Sequence, residues 1–229
     1  MGASIWTGVG ERVKSLARTD RARKVFGAWD SYGAQGHHFR LADPLSESDV
    51  GAAEAQWGIS LPDDYRSFLL DVGAGGAGPG YGLSTLSRSA AGWLWNEVND
   101  AMPHDRMRLP FPPPQDSARL QAEHSAGEPE ESAFTDEDSF RDAVRAWLTR
   151  DDTLFEWSTS GALNLCHEGC GYCYWLVLSG PERGHIWLDE RPGDGTFQPL
   201  GPPATPVDFT NWYLDWLKKS ETTARHESR

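Results

Sequence analysis

The feature that most constrains this chain is a short predicted helix that runs directly into a glycine-rich loop. Residues 61–72 place apolar side chains at helical spacing behind Pro62, and a proline suits the first turn of a helix. Residues 73–82 then contain six glycines. We expect Gly73 to end the helix in the left-handed conformation, and the other glycines to let the backbone pass from the helix into a sheet through a cramped space.

The same glycines have the spacing Gly73-x-Gly75-x-x-Gly78, which is the motif of a dinucleotide-binding loop. That fingerprint follows a strand and opens a helix, whose N-terminus meets the pyrophosphate. Here the pattern follows a helix and meets Pro79. A phosphate-binding loop would also need Lys-Ser or Lys-Thr after its last glycine, and this chain has neither there. The pattern therefore predicts a structural turn, and we expect no cofactor.

The charge of the chain restricts the partners that it can bind. Among 229 residues, 34 are acidic and 21 are basic, which gives a formal net charge of −13. Such a chain repels phosphate backbones, so direct binding of nucleic acid is disfavoured. The charge suits a basic protein partner, because complementary fields speed encounter, but it also suits a protein that is merely kept soluble by it.

The apolar content and the cysteines indicate the compartment. No stretch approaches the ~20 consecutive apolar residues that span a bilayer, and no charged segment followed by an apolar run opens the chain. We therefore expect a cytoplasmic protein that does not contact a membrane. The three cysteines all fall between Cys166 and Cys173 and do not resemble a disulfide framework. They fit a reducing compartment.

The domain organisation follows from composition. The hydrophobic content of 38% is enough for one main core, so we expect one domain with ragged ends. Residues 1–24 form a basic run that we interpret as a solvated, partly helical arm. Residues 25–217 form the domain, in which 102–131 is a proline-rich surface excursion interpreted as loop. Residues 218–229 form a polar tail that we expect to fray.

Helical signals recur along the domain. Ser46 and Asp49 form a variant capping box, which predicts a helix over 47–57. This helix and the one after it make a helix-turn-helix pair, but three aspartates give the second helix the wrong charge for a DNA groove. Apolar residues at helical spacing predict two further helices, over 134–147 and 208–217, the last of which should dock on a sheet.

Strand signals dominate after residue 161. A short strand is expected earlier, over 81–86. The segments 162–167, 172–179 and 185–189 then read as three strands joined by glycine-containing turns, which predicts an antiparallel meander. The middle segment is apolar on both faces. We therefore expect it at the centre of the sheet, covered by helices on at least one side.

Several segments together resemble the SUKH superfamily, the domain of the fungal Smi/Knr regulators of cell-wall synthesis. Each segment is short, but their shared order makes the resemblance specific, and it covers roughly residues 25–217. The segments are Leu61-Pro62-x-x-Tyr65-x-x-Phe68-Leu69, Gly75-Gly76-x-Gly78-Pro79-x-Tyr81-Gly82-Leu83, Cys166-His167-x-Gly169-Cys170-Gly171, Leu176-Val177-Leu178-Ser179-Gly180-Pro181-Glu182-Arg183-Gly184-x-Ile186-Trp187 and Trp212-Tyr213-x-x-Trp216-Leu217.

The resemblance implies a single α+β domain, with a mixed, largely antiparallel sheet, helices packed against it and no known catalytic centre. Bacterial members, with which we group this chain, are associated with polymorphic toxin systems, where they resemble immunity proteins that bind and block a cognate toxin. The fungal relatives resemble interaction hubs. We therefore expect a non-enzymatic immunity protein with a basic toxin as its partner. The alternative is a regulatory or scaffolding module without a toxin partner.

One cluster has residue types that bind metal. Cys166, His167, Cys170 and Cys173 supply three thiols and an imidazole, which on paper complete a zinc tetrahedron. Cys166 and His167 are strand neighbours whose side chains point apart, so the four converge only around a sharply folded turn. We favour structural cysteines over a zinc site. Nothing in the local sequence indicates that Cys166 is an activated nucleophile.

The surface that binds the partner is predicted from composition alone. A few aromatic anchors ringed by acids, over about 800 Å² per partner, would suffice for a specific interface. We predict that Trp93, Trp95, Asp189 and Glu190 contribute to this surface. With 11 tryptophans in the chain, most of these side chains must belong to the core.

Overall fold

The computed structural model describes residues 4–31, 34–96, 104–193, 195–202 and 204–225, and combines helices with two antiparallel sheets. None of the helices formed by these residues has both the length and the apolar composition that crossing a membrane requires. The helices are α1 (Val9–Leu16), α2 (Glu47–Trp57), α3 (Asp63–Asp71), α4 (Pro114–Ser125), α5 (Glu137–Ser158) and α6 (Phe209–Arg225). The strands are β1 (Thr85–Ser89), β2 (Gly92–Asn96), β3 (Ala162–Gly169), β4 (Tyr172–Val177), β5 (Ile186–Asp189) and β6 (Phe197–Pro199).

The larger sheet is an antiparallel meander with the strand order β3-β4-β5-β6. β4 pairs with β3 and β5 and lies inside the sheet, as its two apolar faces predict. The smaller sheet is the hairpin of β1 and β2. This arrangement confirms the predicted α+β class and the predicted meander. β6 is absent from the sequence prediction because a strand of three residues is too short to show an alternating pattern.

The first face of the larger sheet carries the main core and is covered by helices. α6 lies on this face, where Trp212 packs against Tyr174 with ring centroids 5.1 Å apart. Phe209 and Tyr213 of the same helix contact Phe68 of α3 and are completely buried. The aromatic stripe of the last helix therefore docks on the sheet, as its spacing predicts. The strands contribute Leu163, Leu165, Leu176 and Ile186 to this core, and Leu178, directly after β4, joins them.

The opposite face of the larger sheet carries a second, smaller core. Alternation along the strands turns Trp175, Val177 and Trp187 toward this side. Phe111 and, from α5, Phe155 pack against them. The sheet is therefore covered on both faces, which explains why the sequence of β4 shows no polar face.

The glycine-rich loop after α3 is attached to the edge of the larger sheet through its backbone. The N–H groups of Tyr81 and Ser84 donate to the carbonyl oxygens of His167 and Leu165 in β3, at 3.0 and 2.7 Å. The predicted strand over 81–86 is therefore displaced along the chain. Its first residues make only isolated hydrogen bonds to β3, and regular strand pairing starts at Thr85, where β1 begins its hairpin with β2. The loop extends the sheet beyond β3 without forming a complete strand.

On its other side the loop pairs with the segment that precedes α2. The N–H of Ala77 donates to the carbonyl oxygen of Arg40 at 2.6 Å, and the N–H of Ala42 donates to that of Gly75 at 3.0 Å. From α6, the buried hydroxyl of Tyr213 donates to the carbonyl oxygen of Ala77 at 2.9 Å. The loop thus joins three separate parts of the chain, and these bonds satisfy peptide groups that are buried from water.

Two glycines of the loop show why larger residues do not fit. Gly76 has a φ of 98°, and a Cβ at this position would overlap the carbonyl oxygen of Arg40. Gly73 is not left-handed, and that prediction is wrong because the helix ends earlier, with Val72 as a right-handed C-cap. Gly73 is needed for close approach instead, since a Cβ there would lie 2.5 Å from the carbonyl oxygen of Ala42.

The basic N-terminal segment 1–24 packs onto the domain where the structure describes it, and does not extend as a solvated arm. Trp6, Val9, Val13 and Leu16 follow one another at helical spacing, and each is at most 4% exposed. The cations of α1 lie on its outer side and are exposed. The apolar stripe is easy to miss in the sequence because it begins at Trp6, upstream of the charged run.

The proline-rich segment 102–131 contains a helix, where composition predicts a loop. Its first two residues lie outside the described residues. α4 begins at Pro114 directly after Pro113, and a proline suits the start of a helix because it has no N–H to satisfy there. α4 packs against α5, so the two helices form a hairpin. The prolines therefore mark where a helix starts.

Side-chain caps are present at the starts of α2 and α5. The capping box of α2 is present, with the Ser46 side chain accepting the N–H of Asp49 at 3.1 Å. At the start of α5, the carboxylate of Asp136 accepts the N–H of Ser139 at 2.8 Å. Such caps satisfy the free N–H groups of a first turn. α5 continues well beyond its predicted end at residue 147, because Phe155 anchors its last turns on the sheet.

The polar tail predicted over 218–229 is helical as far as the structure describes it. α6 continues to Arg225, and Ser220 and Ala224 are buried against the main core. Residues 226–229 lie outside the described residues. The small side chains near the end of α6 conceal this contact in the sequence, because serine and alanine give little hydrophobic signal.

Gly76→Val is expected to lower the free energy of unfolding by about 3 kcal/mol or more, because a β-branched residue is strained at positive φ and its Cβ would overlap a backbone oxygen. Urea unfolding would measure the loss. Gly51→Val in α2 is the matched control, since no atom lies within 4 Å of a Cβ at that position. Equal stability of the two variants would show that the loop can relax around a side chain.

A buried histidine lies between the glycine-rich loop and α6. His37 is 8% exposed, and its Nδ1 accepts the N–H of Phe39 at 3.0 Å. Among the described residues its Nε2 has no hydrogen-bond partner, and its ring packs edge-on against Trp216 with centroids 5.7 Å apart. Burial, aided by the charge of His38, lowers the pKa of His37 to about 4. The imidazole is therefore neutral at physiological pH.

We expect His37 to make the fold sensitive to mild acid. Its pKa in the folded state lies below the ordinary value of 6.5, so the unfolded chain binds the extra proton first. This group leaves stability unchanged above pH 6.5 and lowers it by up to about 3 kcal/mol as the pH falls toward 4. Urea unfolding at neutral pH and at about pH 5 would measure the fall.

His37→Asn is the control for this prediction. Asparagine offers an acceptor to the N–H of Phe39 and does not titrate, so the variant should lose less stability between the two pH values. An identical loss in both proteins would assign the acid sensitivity to other groups.

Candidate functional site

The two tryptophans that were predicted to bind a partner lie on β2 and are buried. Trp93 is 7% exposed and Trp95 is 1% exposed. Gln56 of α2 accepts the N–H of Trp93 and donates to its carbonyl oxygen, both at 2.7 Å. The indole N–H of Trp95 donates to the hydroxyl of Tyr65 at 3.0 Å. Alternation turns both rings to one side of the strand, which faces α2 and α3, so they do not form an exposed surface.

Asp189 and Glu190, the two predicted acidic contacts, have different environments. Asp189 is 2% exposed and accepts two hydrogen bonds from the guanidinium of Arg191, at 2.6 and 2.8 Å. Arg191 lies between the rings of Phe155 and Phe197, with its Cζ 4.9 and 5.0 Å from their centroids. Asp189 is thus committed to an internal ion pair. Glu190 is half-buried, and its contact with a partner stays a prediction.

The structure separates the four residues of the zinc hypothesis. In the register of β3 and β4, Cys166 pairs with Tyr174 and His167 pairs with Cys173, so the two cysteines lie on opposite faces of the sheet. Cys170 is exposed at the intervening turn. Among the described residues, no three His, Cys, Asp or Glu side chains gather as metal ligands would. Burial raises the pKa of the Cys166 thiol well above its ordinary value, which disfavours the reactive thiolate.

The most strongly charged surface is the pair of helices α4 and α5 with their connection, residues 114–158, which we refer to as the acidic hairpin. It contains twelve carboxylates and four arginines, a formal charge of −8 out of −13 for the whole chain. A fifth of the residues therefore carries more than half of the net charge. The carboxylates are Asp116, Glu123, Glu128, Glu130, Glu131, Asp136, Glu137, Asp138, Asp142, Asp151, Asp152 and Glu156.

The arginines of the acidic hairpin do not neutralise it. Three of the four pair with neighbours on their own helix: Arg119 with Glu123 at 2.8 Å, Arg141 with Glu137 at 2.7 Å and Arg145 with Asp142 at 2.8 Å. Exposed pairs of this kind contribute little to stability. The surplus carboxylates still produce a negative field around the hairpin, and a field of this kind attracts basic molecules.

The acidic hairpin is incompletely buried. Only Ser158, at the end of α5, is fully buried along its 22 residues. Leu148 is 50% exposed, and Trp147 beside it is half-buried. Exposed apolar side chains among charged ones are a common feature of protein interfaces. The hairpin therefore has the composition of a binding surface.

A cleft of 540 Å³ opens between the acidic hairpin and the larger sheet, and we refer to it as the hairpin cleft. The hairpin contributes His124, Trp147 and Asp151 to its lining, and the sheet side contributes Asp189 and Arg191. Of the four residues predicted to bind a partner, Asp189 thus borders this cleft, although its carboxylate is held by Arg191. The cleft is thus concave and lined by both charged and aromatic side chains, which is typical of ligand-binding sites.

Sequence reasoning missed the acidic hairpin because it assigned the proline-rich stretch 102–131 to loop, which left the helix predicted over 134–147 without its partner α4. The sequence does contain a signal for the start of α4. Pro114 followed by Asp116 combines a proline and an acid in the first turn, which favours a helix start. The inner contacts of α4 are hard to see, since His124, a polar residue, is the one fully buried side chain of that helix among the described residues.

Comparison with models of protein families matches residues 44–199 to the SMI1/KNR4 family (SUKH-1). The matched segment includes the glycine-rich loop, both sheets and the acidic hairpin, and it confirms the resemblance to the SUKH superfamily. A search of curated proteins and a search of solved structures found no match.

Asp189→Asn is expected to lower the free energy of unfolding by about 3 kcal/mol, because it leaves the guanidinium of Arg191 nearly buried without its counter-charge. Thermal or urea unfolding would measure the change. Glu190→Gln removes the same charge from the next position, where the side chain is half-exposed, and should change stability by less than about 0.5 kcal/mol. A stable Asp189→Asn variant would contradict the structural role of this ion pair.

Proposed function

This chain belongs to the SMI1/KNR4 family (SUKH-1), and we propose that it is an immunity protein, which binds a cognate toxin and blocks it without catalysis. The observation that carries the proposal is the acidic hairpin, where a formal charge of −8 is concentrated on two largely exposed helices. Charge concentrated in this way attracts partners of opposite sign and repels those of like sign.

The sign of the charge suits a toxin that acts on nucleic acid. The active cleft of such an enzyme must hold phosphate groups and is therefore basic. An acidic surface is drawn to that cleft, speeds the encounter and then occupies cations that the nucleic acid would need. Neutralisation by this route requires only a stable complex, so the protein needs no active site of its own.

The dimensions of the acidic hairpin support occlusion. α5 has 22 residues, so it is about 33 Å long. A standard interface buries about 800 Å² on each partner, which a helical hairpin of this length can supply. The exposed Leu148 and the half-buried Trp147 provide apolar contacts within the charged surface.

Co-expression tests the proposal. Genes beside the one that encodes this chain supply the candidate toxins, and each would be expressed in a host cell with and without this protein. Rescue of growth, together with capture of the toxin from the native cell, is expected for the cognate pair. If every neighbouring candidate kills the co-expressing cells and the captured proteins are housekeeping factors, a regulatory or scaffolding role replaces the immunity function.

The double variant Glu130→Lys/Glu131→Lys is expected to slow association with the toxin by roughly tenfold at low salt, because it reverses part of the attracting field. The effect should shrink at high salt, where the field is screened. Surface plasmon resonance at low and high salt would measure both rates.

The matched control is Glu11→Lys/Asp43→Lys, which makes the same charge change at exposed positions outside the acidic hairpin. It should slow association much less than the hairpin variant does. Equal slowing by the two variants would show that the toxin responds to the net charge of the chain and not to the acidic hairpin.

A further inference from the structure

Among the described residues, a buried nitrogen atom at the hairpin cleft makes no hydrogen bond. His124 is 3% exposed and borders the cleft, and its ring stacks on that of Trp147 with centroids 4.5 Å apart. Within the part of the chain that the structure describes, its Nε2 has no hydrogen-bond partner, although Oδ1 of Asp151 lies 3.3 Å away. Buried nitrogen atoms of this kind are nearly always paired in folded proteins. The imidazole therefore marks a place where a ligand can complete the bonding.

The charges that line the cleft favour a cation. Asp189 and Arg191 neutralise each other through their two short hydrogen bonds. Among the other lining residues, Glu128 and Asp151 add two negative charges. Glu128 is exposed and the side chain of Asp151 is 47% exposed, so both carboxylates can turn toward a ligand.

The sheet side of the same cleft already accommodates a guanidinium group. Arg191 is held by a carboxylate and lies between two aromatic rings, about 5 Å from each. The hairpin side repeats these elements, with the carboxylate of Asp151 beside the stacked rings of His124 and Trp147. A planar guanidinium suits such a site because it stacks on aromatic rings and donates several N–H groups in a fork.

We propose that the hairpin cleft receives the side chain of an arginine from the toxin, whose guanidinium donates to Asp151 and to Nε2 of His124. The proposal rests on the proposed function and names the contact through which the acidic hairpin recognises its partner. With the ring proton on Nδ1, Nε2 of His124 is an acceptor, and it lies 3.3 Å from Oδ1 of Asp151, close enough for one guanidinium to reach both atoms. A lysine fits less well, because its ammonium group is compact and strongly hydrated.

The site can be tested without the toxin. The probe is the blocked tripeptide acetyl-Gly-Arg-Gly-amide, titrated into the full chain while the ring signals of His124 and Trp147 are followed by NMR. We expect saturable binding with a Kd on the order of a millimolar, since one side chain makes few contacts. The same peptide with citrulline, which is neutral and of the same shape, should bind at least about tenfold more weakly. Equal binding of the two peptides, or no saturable change at His124, would overturn the proposal.

Asp151→Asn and Asp152→Asn form a matched pair of variants. They remove the same charge from neighbouring positions of α5, but only Asp151 lines the cleft. Asp151→Asn should weaken the arginine peptide about tenfold, through the loss of a charge-assisted hydrogen bond. Asp152→Asn should weaken it less than about twofold, through the general field alone. Equal weakening would show non-specific attraction to the acidic hairpin and would count against the site.

The outcomes separate this proposal from the immunity function. Rescue from a toxin by a protein whose affinity is unchanged by Asp151→Asn would overturn the arginine contact and leave the immunity function in place. A peptide site that depends on Asp151, in a protein that rescues cells from no neighbouring toxin, would support the cleft and contradict the immunity function.

Discussion

Backbone hydrogen bonds to the glycine-rich loop are the interactions on which the rest of this structure depends. The loop pairs with β3 on one side and with the segment before α2 on the other, and the hydroxyl of Tyr213 reaches it from α6. These contacts need backbone atoms to approach more closely than a Cβ allows, as at Gly76. Since buried peptide groups must be paired, loss of either side would leave several unsatisfied at once. Close backbone packing therefore explains why this loop is rich in glycine, although the glycine spacing resembles that of a nucleotide-binding loop.

The larger sheet divides the molecule into a side that carries the main core and a side that carries the acidic hairpin. On the first face, α1, α3 and α6 bury a continuous aromatic core that includes Trp6 and Phe68. On the second face the core is small, and much of the covering hairpin remains exposed. A hairpin that contributes little to the main core can carry a surplus of like charge, because the repulsion between its carboxylates costs the fold little. The charge and the hairpin cleft lie on this side, where the structure tolerates them.

Much of the fold can be predicted from local patterns, and the errors have a common cause. The capping box at Ser46, the meander and the docking of the last helix follow from spacing that is visible in short windows. The predictions fail where a residue is judged by its type alone. Trp93 and Trp95 suggest an exposed interface, but alternation on β2 turns them toward α2 and α3. Which face of a strand is inside depends on what covers it, and a strand sequence does not contain that information.

The family, the α+β class and the acidic net charge follow from the amino-acid sequence without any structure. These properties depend on composition and on the order of short segments, and both are visible in the amino-acid sequence. Three other facts come from the folded chain: Asp189 is held by Arg191, Cys166 and Cys173 lie on opposite faces of the sheet, and His124 is buried beside Asp151. Each of these facts depends on how strands and helices pack against one another, even for Asp189 and Arg191, which are only two residues apart in the chain, and a short window of sequence does not contain that packing.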